Sequence, residues 1–413
     1  MDPVVTATFV LADWIAKGIA SGAYERYGGV IREVATGRIV SFLREFQSKP
    51  STDPSSNLLH FIFAGANAAG SGANAAITGK GLAAINQRLG GIEQTLQLTQ
   101  GMLQVTSAAS VLNLGVSVMG FVVIAQRLKE LEQRLQQTQE ILNKINHKID
   151  LGFYANFRAA IDLAINAFTM SKLENRERSA MQAINRFLEA EHAYTDYTDT
   201  ELKQKSQIAD EYLLTLSLAY LAEARCYLEL GEPDIALRRF QEGATVLRSR
   251  TQKYIDLLLT SNPAAYLHPQ FKGQIDLRRL TRIYQWTDPT LDENAVFEMQ
   301  RENLAKLMED PNQWITSLPP AIWDSRVDWV GKAFWDDPKP QIFARLPKTL
   351  ETIESVIETN NRFEGYQAEI QTIGQLGITF HKWLQLTPAT KVKPDQANLM
   401  FIIPSKPLKV AAA

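Results

Sequence analysis

Between Gln94 and Gln126 the chain carries no charged residue, and directly after this stretch the charges return on a heptad rhythm. Leu128, Leu135, Leu142 and Ile149 hold one core position of those heptads. Leu131, Thr138, Ile145 and Gly152 hold the other. Apolar residues at that spacing form the seam of a coiled coil, so Leu128, Leu131, Leu135, Leu142, Ile145 and Ile149 are the expected packed face. No proline interrupts Gln94 to Phe168. A single helix over that span would be on the order of 100 Å long, far beyond an ordinary globular helix. Gly115, Gly120 and Gly152 are the expected places for it to kink or split.

Within the charge-free stretch, Ala108 to Ala125 reads as a helix with a narrow stripe of small and polar residues. Thr106, Ser110, Asn113, Ser117 and Gly120 follow one another at steps of four, three, four and three. Almost everything else there is apolar. A surface helix shows the reverse, a wide polar face and a narrower apolar one, so this segment expects protein or lipid around it. Its length falls a little under the ~20 residues of a usual membrane span. Two readings follow. In one, Val111, Leu112, Leu114, Val118, Phe121, Val122 and Ile124 enter a bilayer, while Ser110, Asn113, Ser117 and Gly120 face neighbouring helices or a water-filled lumen. In the other, the segment is the middle helix of a soluble bundle.

The rest of the chain divides into segments 1–56, 57–152, 153–260, 261–345 and 346–413. Residues 3–21 read as a short amphipathic helix. Val30–Val34 and Ile39–Leu43 alternate with the two-residue period of strands and flank Ala35-Thr36-Gly37, which predicts a hairpin. Gln47 to Ser56 is a polar linker. The pentapeptide GANAA occurs at Gly65 and again at Gly72, a heptad apart. Segment 153–260 reads as helical hairpins. Segment 261–345 gathers prolines with Trp286, Trp314, Trp323, Trp329 and Trp335, which are expected to pack rather than to form a surface. A last helix spans Leu350 to Leu386, and Leu399–Ile403 is a strand whose natural partner is the Val30–Leu43 hairpin. The expected fold is therefore mainly α: an elongated helical bundle with a long coiled-coil helix and a small hairpin or sheet near the N-terminus.

No motif points to catalysis. A net charge of -2 and the lack of a dense Lys/Arg block argue against nucleic acid as a partner. Five histidines lie at 60, 147, 192, 268 and 381 without metal-ligand spacing. NAAITGKG around Lys80 fails as a phosphate loop, because Asn74 replaces the first glycine and Gly81 the magnesium-binding hydroxyl. Cys226, the single cysteine, lies in a helical pattern without an adjacent histidine, so a buried thiol is expected. No catalytic residue, metal or cofactor is expected. Asp2 and Asp13 spoil a signal peptide, which predicts a chain held in the cytoplasm.

Two resemblances add to this reading. Tyr220, Ala224, Tyr227, Ala236, Phe240 and Gly243 fall at the signature offsets of a tetratricopeptide repeat, although Glu223 and Arg248 depart from it. A solenoid needs about three such repeats, so this implies one helical hairpin only. The Gln94–Gln126 stretch, the Arg127–Gly152 heptads and the GANAA segment together resemble the plan of α-helical pore-forming toxins and related membrane-disrupting effectors. That resemblance implies a lipid bilayer as partner, a homo-oligomer, a protein activator, and a chain that is cytoplasmic at rest and membrane-associated when active, in bacterial defence or toxicity. The lack of an export leader departs from secreted toxins and favours an intracellular effector. The alternative is a soluble coiled-coil or helical-repeat scaffold or adaptor.

Overall fold

The computed structural model describes residues 4–10, 13–45, 95–99, 102–108, 110–112, 114–116, 119–142, 152–206, 208–260, 263–268, 271, 275–309, 318, 322, 339–385 and 399–402. The fold is mainly α, a helical bundle carrying one sheet. In chain order the elements are β1 (Val4–Val10), α1 (Asp13–Ala20), β2 (Tyr24–Tyr27), β3 (Val30–Glu33), β4 (Ile39–Glu45), β5 (Thr95–Thr99) and β6 (Met102–Ala108). The helices α2 (Phe121–Leu142), α3 (Gly152–Thr169), α4 (Leu173–Lys203), α5 (Ala209–Glu229) and α6 (Pro233–Thr260) follow. After them come a 3-10 turn (Pro263–Leu267), α7 (Leu277–Thr287), α8 (Glu293–Glu309), α9 (Lys339–Leu376), α10 (Phe380–Gln385) and β7 (Leu399–Ile402).

The expected hairpin is present. β3 and β4 pair antiparallel, and Gly37 takes the positive φ of 68° that the turn requires. β2 adds to its outer side. β7 pairs antiparallel with β4, which makes the C-terminal strand the hairpin's partner as its sequence suggested. The sheet then continues past that point, in the order β2-β3-β4-β7-β1-β6-β5.

Two sequence expectations are overturned here. Residues 3–21 are not one helix: Val4–Val10 is a strand paired with Met102–Ala108, and only Asp13–Ala20 is helical. Nor is Gln94–Phe168 a rod. Thr95–Thr99 and Met102–Ala108 form an antiparallel pair, the described residues within 110–120 follow without a regular α-helix, and the helices begin at Phe121 and Gly152, at two of the expected glycine breaks. The competing physics is strand alternation, visible in TLQLT and MLQVTSA, which finds a sheet edge to join. The last helix also begins earlier than Leu350, at Lys339, and it ends at Leu376 before the separate α10.

The bundle is organised around α5. Nearly every residue of that helix is buried, because α2, α3, α4, α6, α9 and α10 all touch it. A helix covered on all sides has no single apolar face, so its own periodicity is faint, and its buried charges Asp210, Glu211, Glu223 and Arg225 are each paired. Helices α5 and α6 pack against each other as a hairpin. A Cβ on Gly243 would lie 2.8 Å from the Tyr220 ring, so glycine lets the two helices close. Ala224, Ala236 and Phe240 are fully buried. Phe240 meets Phe363 of α9 edge-on at 5.0 Å, so a helix from much later in the chain caps the pair in place of a further repeat.

Leu128, Leu131 and Leu135 of the expected seam are buried against α3 and α5 of the same chain. For these three the coiled-coil partner is internal. The side chains of Leu142, Ile145 and Ile149 lie outside the described residues. So do the GANAA segment and Trp314, Trp323, Trp329 and Trp335. Trp286 is half-buried, with the Arg248 guanidinium 4.7 Å from its ring centre.

Candidate functional site

The described residues of the stretch from Ser110 to Gly120 form an apolar connector from β6 to α2, not the helix expected over Ala108–Ala125. Val111, Leu112, Val116, Met119, Phe121 and Ile124 are buried in the main core, together with Val30, Phe42 and the inner faces of α3 to α6. Leu114 is half-buried, and Val122 is 46% exposed on the first turn of α2. Ser110 is buried and Gly120 is partly open. Asn113, Ser117 and Val118 lie outside the described residues. The stripe therefore does not line a common helix face: Ser110 bonds the Thr359 hydroxyl at 2.9 Å, while Gly120 accepts the first helical bond, from Ile124 N–H.

A connector without regular structure must find partners for its peptide groups, since an unpaired buried one costs about 1–3 kcal/mol. Here charged side chains supply them. Arg362 of α9 donates to the Leu112 carbonyl at 2.6 Å. The Val116 N–H donates to Glu369 of α9 at 2.8 Å, and Arg225 of α5 donates to the Val116 carbonyl at 3.1 Å. The Ser110 hydroxyl accepts the Leu112 N–H at 3.1 Å. Three charged groups from two helices thus hold the backbone of two residues, Leu112 and Val116, ahead of the start of α2 at Phe121.

Each of those charges is itself held. Arg362 shares Glu358 with Arg26 of β2, which approaches the carboxylate with two parallel bonds at 2.9 and 3.0 Å. Burial by itself would raise the Glu358 carboxyl, but Arg26 and Arg362 outweigh it and hold it below the ordinary range. Arg26 also donates to the Gly28 carbonyl at 2.6 Å. The other Glu369 oxygen accepts from the Trp383 indole of α10 at 2.6 Å. Arg225 pairs with Glu229 at 2.6 Å and lies 4.6 Å from the Phe380 ring. Burial lowers the Arg225 guanidinium from its usual range, against the pull of Glu229 and Glu369.

Glycines let the sheet come close enough for this clamp. A Cβ on Gly29 would fall 1.8 Å from the Leu114 carbonyl oxygen, and one on Gly28 would fall 2.4 Å from the Asn361 oxygen. The clamp residues were not visible to sequence reasoning. Arg26 and Glu358 are 332 positions apart, and nothing local marks either.

Cys226 is fully buried, and burial pushes its thiol well up, away from the thiolate. Among the described residues no group of three or more His, Cys, Asp or Glu is placed to hold a metal. Also among them, no helix is long and apolar enough to cross a membrane. Compared with known proteins, the chain matches no family model, no curated protein and no solved structure.

Proposed function

We propose that the chain is a membrane-active helical effector in a sheltered form, whose charge-free stretch leaves the core on activation, becomes helical and permeabilises a bilayer, with homo-oligomerisation completing the lesion. One observation carries this reading. The connector's peptide groups at Leu112 and Val116 are bonded by Arg362, Glu369 and Arg225, with one local turn bond from the Met119 N–H to the Val116 carbonyl at 3.2 Å, and not by an α-helix of its own. It is held from outside, and α2 begins where the holding stops. With no proline between Gln94 and Phe168, α2 can extend backwards through the connector and satisfy those groups internally.

Energetics set the condition for release. Exposing Val111, Leu112, Val116, Met119, Phe121 and Ile124 to water would cost on the order of 10 kcal/mol. That equals the whole stability of a typical domain. Transfer to lipid regains the apolar part, so release requires a bilayer together with an activator or a cut in the chain.

The scaffold reading is favoured by a different observation: the same residues belong to the main core and give it volume. A variant separates the two. Val122 is exposed at the start of α2, where aspartate suits the helix N-terminus, so Val122→Asp should fold and melt like wild type. At the centre of a spanning helix such a charge costs about 2.5–3.5 kcal/mol, and here, three residues before the end of the Ala108–Ala125 span, it costs less but still opposes insertion. Dye release from anionic vesicles, with and without limited proteolysis, reads the difference.

A further inference from the structure

A cavity of about 250 Å³ lies apart from the clamp, lined by Asp210 of α5, Tyr254 of α6, Ile322, and Arg345, Lys348, Thr349 and Thr352 of α9. The four α9 residues sit at steps of three, four and seven from Arg345, so one face of that helix forms a wall. Tyr254 is only 4% exposed overall and lines the cavity, and no hydrogen bond ties its hydroxyl to another described residue. Thr349 and Thr352 donate their protons to the carbonyls of Arg345 and Lys348, at 3.1 and 3.0 Å, which leaves both hydroxyl oxygens able to accept. Arg345 is braced by the Ile322 carbonyl at 3.3 Å. Lys348 is exposed, and its ammonium makes no ion pair or hydrogen bond among the described residues. Asp210 is buried, with a loose ion pair to Arg134 at 3.8 Å.

We propose that this cavity binds a small hydroxylated phosphate of the pentose-phosphate type, with its phosphate at Arg345 and Lys348 and its hydroxyls toward Asp210 and Tyr254. Two cations one helical turn apart suit an oxyanion. The Asp210 carboxylate would repel a second anionic group but accepts well from a sugar hydroxyl. The volume suits a pentose phosphate better than a full dinucleotide, since sites for drug-sized ligands begin near ~300 Å³. Because Asp210 also faces Arg134 of α2, an occupant acts on the helix that follows the charge-free stretch.

Isothermal titration of the full chain with ribose 5-phosphate, inorganic phosphate and ribose tests this without reference to any membrane. Ribose 5-phosphate should bind, phosphate more weakly, and ribose not measurably. Tyr254→Phe removes one oxygen, and Lys348→Met removes one exposed charge. Each should weaken ribose 5-phosphate about tenfold while the melting temperature stays near wild type. The proposal is overturned if ribose 5-phosphate gives no heat at about millimolar concentration, if both variants bind like wild type, or if phosphate alone binds as tightly.

Discussion

Gly29→Ala tests whether the connector is seated as tightly as the clamp requires. The new Cβ would stand 1.8 Å from the Leu114 carbonyl oxygen and 2.7 Å from its carbon, where ordinary contact begins at 3.4 Å. The oxygen must therefore retreat by roughly 1.5 Å in a close-packed interior. Leu114 is flanked by the two held positions, Leu112 under Arg362 and Val116 between Glu369 and Arg225. A shift of that size breaks at least one charge-assisted bond, at about 1.5–3 kcal/mol. Overpacking adds about 1–3 kcal/mol. The expected loss is about 3–5 kcal/mol in urea unfolding, and protease cleavage within 110–120 should begin before global unfolding. Gly374→Ala, on an exposed helical position with nothing within 4 Å, is the control and should be neutral or stabilise by up to about 1 kcal/mol. A Gly29→Ala loss below about 1 kcal/mol with unchanged cleavage would refute the reasoning.

Two other perturbations follow from the bundle. Burial, then the neighbouring Glu223, push the Glu191 carboxyl up to about 10 against the pull of Arg239, so the folded state holds a proton there that the unfolded chain gives up. Stability should fall as pH rises from about 5 to about 9, and Glu191→Gln, which mimics the protonated form, should flatten that slope in melts across pH; an unchanged slope would remove the shared proton from the account. Leu135→Ala opens a cavity beneath α2, where the side chain is fully buried, and should cost about 2–5 kcal/mol by urea denaturation, whereas a loss under about 1 kcal/mol would mean that α2 is not packed in cis.

The parts of the fold legible in the sequence are those written in local rhythm. The hairpin showed through alternation and through Gly37, and Leu399–Ile402 showed as its partner. The α5–α6 pair showed through the spacing of Tyr220, Ala224, Phe240 and Gly243. The β5–β6 pair was legible but misread. TLQLT and MLQVTSA alternate around Gln100-Gly101, yet their lack of charge and the leucine heptads downstream suggested one continuous helix. VVTATFV was misread in the same way, because its alternation becomes a strand only when Met102–Ala108 is there to pair with it. Nothing local could have shown the clamp. Arg26, Arg225, Glu358, Arg362 and Glu369 look like ordinary surface charges until β2, α5 and α9 meet around Leu112 and Val116.

The central claim is that the charge-free stretch can exchange protein for lipid, and dye release by wild type beside Val122→Asp tests it most directly. Val122 lies at the edge of the buried connector but faces outward, so the variant alters the inserted state and spares the sheltered one. The account predicts release by wild type from anionic vesicles once limited proteolysis has freed the stretch. It predicts none, or at least about tenfold less, from Val122→Asp at the same melting temperature. Wild type that leaks no vesicle before or after proteolysis, or a Val122→Asp protein that leaks as well as wild type, would contradict it.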